Sequence, residues 1–130
     1  MTPIEKPPEE TVCLVDDDPA VLKSIGRLLA SDGVAVRAFD RPKCFLDYAR
    51  TNRVPLVVLD IWMEEMNGLE VQAQMATLSP DTRVIIMTGR DDSTTKRAAL
   101  RSDVFAFFTK PFDGDKFLGA VHMALALQVH

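Results

Sequence analysis

Along most of its length the chain alternates short apolar runs with stretches in which apolar residues return every three or four positions. Thr11-Val12-Cys13-Leu14-Val15 is apolar and β-branched at three positions, the pattern of a parallel strand buried on both faces. It stops at Asp16-Asp17-Asp18-Pro19, where Asp18 followed by proline predicts a helix N-cap and first turn. Val21, Ile25, Leu28 and Leu29 then keep helical spacing until Asp32-Gly33. The alternation recurs. Val34 to Phe39, Pro55 to Leu59, Arg83 to Met87 and Val104 to Thr109 predict four more strands. Arg41 to Asn52, Gly68 to Leu78 and Asp91 to Arg101 predict helices, and Asp113 caps a last one carrying Phe117, Leu118, Val121, Leu125 and Leu127. In the fourth helix, acids at the start and bases toward the end complement the helix dipole. Five strands alternating with five helices imply an α/β fold: a parallel sheet covered on both faces, with right-handed crossovers. Residues 1–10, MTPIEKPPEE, hold three of the eight prolines and no apolar period, so a flexible tail is expected there and a domain over 11–130.

In an open parallel sheet, ligands sit beyond the carboxyl ends of the strands. The first strand ends in Asp16-Asp17, the third in Asp60, the fourth in Thr88 and the fifth in Lys110, so these residues are expected to converge at one edge. Clustered carboxylates repel one another in a partly dry pocket and titrate as a coupled set unless a cation neutralises them. A hard divalent ion suits such a cleft, and magnesium takes a few carboxylates together with waters and phosphate oxygens. Asp18 reads better as a cap than as a ligand.

Composition narrows the function classes. The 130 residues are 47% hydrophobic and 26% charged, enough apolar content for one domain with a proper core. A net charge of −4 argues against a chain built to bind nucleic acid or anionic membrane. Cys13 and Cys44 are far apart and the histidines are His122 and His130, so a zinc site is not supported; both cysteines are expected to be small buried hydrophobes in a reducing compartment. With no basic start leading into an apolar stretch, and no run of 18 apolar residues, a cytoplasmic protein without a cleaved signal is expected.

From Thr11 to about Ala126 the chain resembles the receiver domain of two-component response regulators. The matching pieces are Val15-Asp16-Asp17-Asp18-Pro19, Leu59-Asp60 with Met63, Met66 and Gly68 after it, Ile86-Met87-Thr88-Gly89, and Phe107-Phe108-Thr109-Lys110-Pro111-Phe112, in family order and spacing. The resemblance implies a flavodoxin-like, doubly wound (βα)5 sheet of strand order 2-1-3-4-5. It implies Asp60 as phosphoryl acceptor, Asp16, Asp17, Asp60 and the Trp62 backbone carbonyl as Mg2+ ligands, and Thr88 and Lys110 as phosphoryl-binding groups. Thr88 and Phe107 would form the switch, and a cis bond is expected at Lys110-Pro111. A sensor histidine kinase would be the donor, an output domain or downstream protein the target, and the face of the fourth helix, fifth strand and fifth helix the moving surface, with phosphorylation-dependent homodimerisation a family expectation. Transfer to a carboxylate needs an in-line nucleophile and neutralised equatorial oxygens, which magnesium, Lys110 and Thr88 supply in that scheme.

Some positions depart from the pattern. Glu64, with Glu65 next, stands where proline usually follows the loop methionine, and either points to solvent or alters cation binding and loop order. Asp103-Val104 replaces a common Gly-Ala, which raises a non-glycine residue at positive φ as an expectation. Trp62 and Arg90 stand two residues after Asp60 and Thr88, at the rim of phosphoryl access, so slow loss of the phosphoryl group is expected. Three competing classes match these residues less well. A haloacid-dehalogenase-like phosphatase needs a second aspartate where Trp62 stands. A nucleotide-binding domain needs a glycine-rich phosphate loop where this chain has three aspartates. A receiver-like interaction module that takes no phosphate is opposed by the complete acceptor set. The charge is also placed: residues 1–10 carry one lysine and three glutamates, and Asp16, Asp17 and Asp60 against Lys110 make up the remaining −2.

Overall fold

The computed structural model describes residues 11–89 and 93–127. Five strands, β1 (Val12–Val15), β2 (Val36–Phe39), β3 (Leu56–Asp60), β4 (Arg83–Thr88) and β5 (Ala106–Thr109), alternate with α1 (Pro19–Ser31), α2 (Pro42–Thr51), α3 (Gly68–Leu78), α4 (Ser93–Arg101) and α5 (Gly114–Ala126). The strands form one parallel sheet in the order β2-β1-β3-β4-β5, as the resemblance implied.

The two-residue period of the strands sorts their side chains into two cores. Val12, Leu14, Leu56, Val58, Ile85 and Met87 pack with Ile25 and Leu29 of α1 and with Phe117, Val121 and Ala124 of α5. Cys13, Val15, Val57, Leu59, Val84 and Ile86 face the other way, onto Phe45 and Leu46 of α2 and Val71 and Met75 of α3. Since β1 and β3 are buried on both faces, their apolar runs are continuous, and the first polar residue after each marks where the sheet opens.

Local chemistry sets the ends of the helices. The Asp18 carboxylate accepts from the Ala20 N–H at 2.9 Å, with Pro19 in the first turn. Gly33, at φ +77°, takes the left-handed turn after α1, where its N–H reaches the Ala30 carbonyl at 3.0 Å. Asn67 and Glu70 form a reciprocal capping box at the start of α3. Asp113 accepts from the Asp115 and Lys116 N–H groups and starts α5.

Several sequence-based boundaries move by one or two residues. Val34 and Val104 were expected to open β2 and β5, but their N–H groups turn back to the Leu29 and Ser102 carbonyls, so the strands open at Val36 and Ala106. β1 opens at Val12 rather than Thr11, and α2 spans Pro42–Thr51 within the longer expected range. β3 opens after Pro55, which has no N–H, and extends to Asp60. β4 extends one residue further, to Thr88. Cys44 is exposed on α2, contrary to the buried site expected for it; its neighbour Phe45 takes the core position. No described non-glycine residue has a positive φ, so the strain expected around Asp103 does not occur, the α4–β5 turn being closed instead by the Val104 N–H on Ser102. The expected tail, Arg90 and the two acids at the start of the fourth helix lie outside the described residues. No described helix is long and apolar enough to cross a membrane.

Candidate functional site

Parallel pairing brings the carboxyl ends of β1, β3, β4 and β5 to one edge. Val15 is level with Leu59, Asp60 with Met87, and Thr88 with Thr109. The ladder continues past the strands: the Ile61 N–H reaches the Met87 carbonyl at 3.1 Å, and the Lys110 N–H the Thr88 carbonyl at 2.7 Å. Asp16, Asp60, Thr88 and Lys110 are therefore placed by the sheet itself.

Asp16, Asp17 and Asp60 each direct a carboxylate oxygen to one point, the three oxygens lying within 4.8 Å of one another. Their surroundings differ. Asp16 is 1% exposed; one oxygen accepts from the Asp18 N–H at 2.9 Å and the other meets Lys110 Nζ at 3.1 Å. Asp60 is 6% exposed, with Oδ1 3.7 Å from Lys110 Nζ and no hydrogen bond to that oxygen. Asp17 is exposed and accepts from the Glu64 N–H at 3.2 Å.

Burial, followed by the neighbouring Asp16 charge, pushes the Asp60 carboxyl up to about 6; Lys110 and the Trp62 N–H pull the other way without cancelling it. Among the described residues Lys110 pairs with two of the three carboxylates, Asp16 and Asp60, and a buried oxygen of Asp60 lacks a donor. That donor set fits a hard, oxygen-seeking divalent cation, which would supply the missing positive charge.

Gly68 fixes the loop beneath the cluster. Its N–H donates to the Ile61 carbonyl at 2.8 Å, and a Cβ on it would stand 2.5 Å from the Asp60 carbonyl oxygen. Only a glycine lets α3 start this close to the end of β3.

Thr88 is 1% exposed at the end of β4. Phe107 is half-buried against the α2/α3-side core, with Lys96 Nζ 5.9 Å from its ring centroid. Trp62 is also half-buried and packs on that core. The Lys110-Pro111 peptide is cis. Glu64 is exposed, as is Asp103. A cleft of about 300 Å3 bordered by Pro80, Asp103 and Leu127 lies at the amino-terminal edge of the sheet, away from the carboxylates.

Two features of the site went unread in the sequence. The Asn67-x-x-Glu70 capping box that launches α3 beside Asp60 was visible as a pattern. The Glu64 amide contact was not, because it depends on the loop's path across 47 residues of sequence separation.

Comparison with known proteins agrees with this architecture. Residues 12–122 match the family model described as the response regulator receiver domain. The response regulator protein TmoT of Ectopseudomonas mendocina is 35% identical over 119 residues, covering 92% of this chain and 54% of TmoT. The transcriptional regulatory protein GlrR of Escherichia coli strain K12 is 37% identical over 112 residues, 86% of this chain and 25% of that protein. The chain thus spans about half, or less, of the curated relatives it matches. Among solved structures, FixJ-N aligns with TM-score 0.85 at 29% identity, over 92% of this chain and 96% of that one. The beryllofluoride-activated NtrC4 receiver domain dimer aligns with TM-score 0.86 at 25% identity, over 92% and 99%.

Proposed function

Because this chain belongs to the response regulator receiver family of two-component signalling, we propose that it is an active receiver in which Asp60 accepts a phosphoryl group from a sensor histidine kinase. In this reading Asp16, Asp17, Asp60 and the Trp62 backbone carbonyl hold Mg2+, which when bound offsets the negative charge of the transferring phosphoryl oxygens.

The chain's own groups do the rest. An Asp60 carboxylate oxygen attacks phosphorus in line; the phosphorus–nitrogen bond of the kinase phosphohistidine breaks, and the leaving imidazole takes up a proton. Lys110, anchored between Asp16 and Asp60, follows the charge onto the phosphoryl oxygens. Thr88, at the next strand end, donates its hydroxyl to another of them. Nearly two negative charges added at the end of β3 draw Thr88 inward, Phe107 takes the space released, and the α4-β5-α5 face changes its surface.

The observation that carries this reading is the convergence of three carboxylates within 4.8 Å, with one lysine, at the carboxyl edge of the sheet. The output lies in a further domain or a separate protein, which fits a chain that covers half of TmoT. Phosphorylation-dependent pairing of two copies, a cytoplasmic setting and no direct contact of this domain with nucleic acid or membrane complete the proposal.

Trp62 is the only tryptophan and follows the acceptor by two residues, so it reports on the site. Its fluorescence is expected to respond to MgCl2 and then to beryllofluoride, with Asp60→Asn abolishing the second response. Neither response in the wild type, together with no label taken from a small phosphodonor, would leave the receiver-like module that takes no phosphate as the correct reading.

A further inference from the structure

The three carboxylates are not held equally. Asp16 is buried and fixed through both oxygens by the Asp18 N–H and Lys110. Asp60 is buried, with Lys110 and the Trp62 N–H beside it. Asp17 is exposed, and among the described residues its side chain has one hydrogen bond, from the Glu64 backbone N–H at 3.2 Å. That bond joins the β1–α1 loop to the β3–α3 loop.

We propose that the Glu64 backbone amide, not its side chain, is the positioning group for Asp17, presetting this carboxylate for magnesium by donating to Oδ2. The inference rests on the magnesium site of the preceding section. An exposed aspartate samples several rotamers, and ordering one of them for a cation costs entropy at the moment of binding. A donor already on Oδ2 removes part of that cost and leaves Oδ1 and further lone pairs for the ion. Hydrogen bonds that orient ligating side chains in this way are worth 10–100-fold in metal affinity. The position matters because proline, the residue expected there from the loop pattern, has no N–H and makes no such bond. Glu64 itself extends into solvent, so its charge is incidental to the effect.

The test compares Glu64→Gln and Glu64→Ala, which keep the amide, with Glu64→Pro, which removes it. Magnesium affinity is read from Trp62 fluorescence during titration with MgCl2 alone, and the fold of each variant is verified by circular dichroism. The Gln and Ala variants are expected to bind magnesium within about twofold of the wild type, and the Pro variant roughly tenfold more weakly. Should the Pro variant not fold, amide exchange of Glu64 in the metal-free protein carries the test. Exchange is expected to be protected in the wild type and severalfold faster in Asp17→Ala. Equal affinity of a folded Pro variant, an equal loss in the Gln variant, or unprotected exchange overturns the proposal. Absence of magnesium binding by the wild type instead overturns the site on which it rests.

Discussion

Gly68 stands against the backbone of Asp60 so closely that a single added methyl group would lie 2.5 Å from the Asp60 carbonyl oxygen and 3.0 Å from the Ile61 Cα. Both neighbours are backbone atoms, one at the end of a central strand, and neither yields without moving the proposed acceptor. Gly68→Ala is therefore expected to destabilise the protein by about 1–3 kcal/mol, the usual range for overpacking, and to weaken magnesium binding. Urea unfolding measures the first and Trp62 fluorescence the second. A change in stability below about 0.5 kcal/mol, the scatter of ordinary surface substitutions, would show that the loop moves away freely.

The raised Asp60 carboxyl makes metal-free stability depend on pH. With its pKa at 3.8 unfolded and about 6 folded, the folded state binds a proton more tightly. This contribution is fully present below pH 3.8 and is lost as pH rises through about 6, reaching about 3 kcal/mol. The difference in unfolding free energy between the wild type and Asp60→Asn, measured with EDTA from pH 4 to 8, is expected to widen in favour of Asn by about that amount. Magnesium at pH 8 narrows it. A flat difference would mean that Asp60 is not destabilised by burial.

Lys110 bridges Asp16 at 3.1 Å and Asp60 at 3.7 Å. Replacing it with Met leaves two buried carboxylates without their cation. A loss of about 2 kcal/mol at pH 7 is expected, from the usual worth of a hydrogen bond to a charged group, and saturating magnesium should reduce that loss. An equal loss with and without the ion would separate the lysine's structural role from the carboxylate cluster.

The two thiols differ in reactivity. Burial pushes Cys13 up to about 12 in a strand of the core, where it is 1% exposed, whereas Cys44 is exposed on α2. Ellman's reagent is expected to titrate one thiol in the native protein, two in denaturant and none in native Cys44→Ser. Rapid reaction of native Cys44→Ser would place Cys13 in an opening segment.

Trp62 packs half-buried on the core side of the proposed acceptor loop. If Asp60 takes a phosphoryl group as proposed, an indole at this position would restrict the approach of water, so the acyl phosphate is expected to decay slowly, and Trp62→Asn to hasten its decay severalfold. Loss of label from the wild type within seconds would refute the shielding.

The order and type of all ten elements were legible in the sequence because strands buried on both faces read as unbroken apolar runs, and polar residues end them abruptly. Several boundaries were not. Whether Val34 and Val104 enter the ladder is decided by which carbonyl their N–H groups find, and local turns take them first. Cys44 and Phe45 are adjacent in an apolar-looking stretch, and only the rotation of α2 on the sheet decides which of them is covered.

The same division runs through the candidate site. Asp16, Asp60, Thr88 and Lys110 could be picked out from the chain alone because each terminates an apolar strand, and parallel pairing obliges such ends to meet at one edge. What the tertiary structure decided is how unequally they are held. Lys110 sits between Asp16 and Asp60, Asp60 Oδ1 is buried without a donor, and exposed Asp17 depends on an amide 47 positions away. Strand periodicity is a property of neighbours along the chain and is written in the sequence. Desolvation, distance and the reach of a loop N–H arise only between segments that folding brings together.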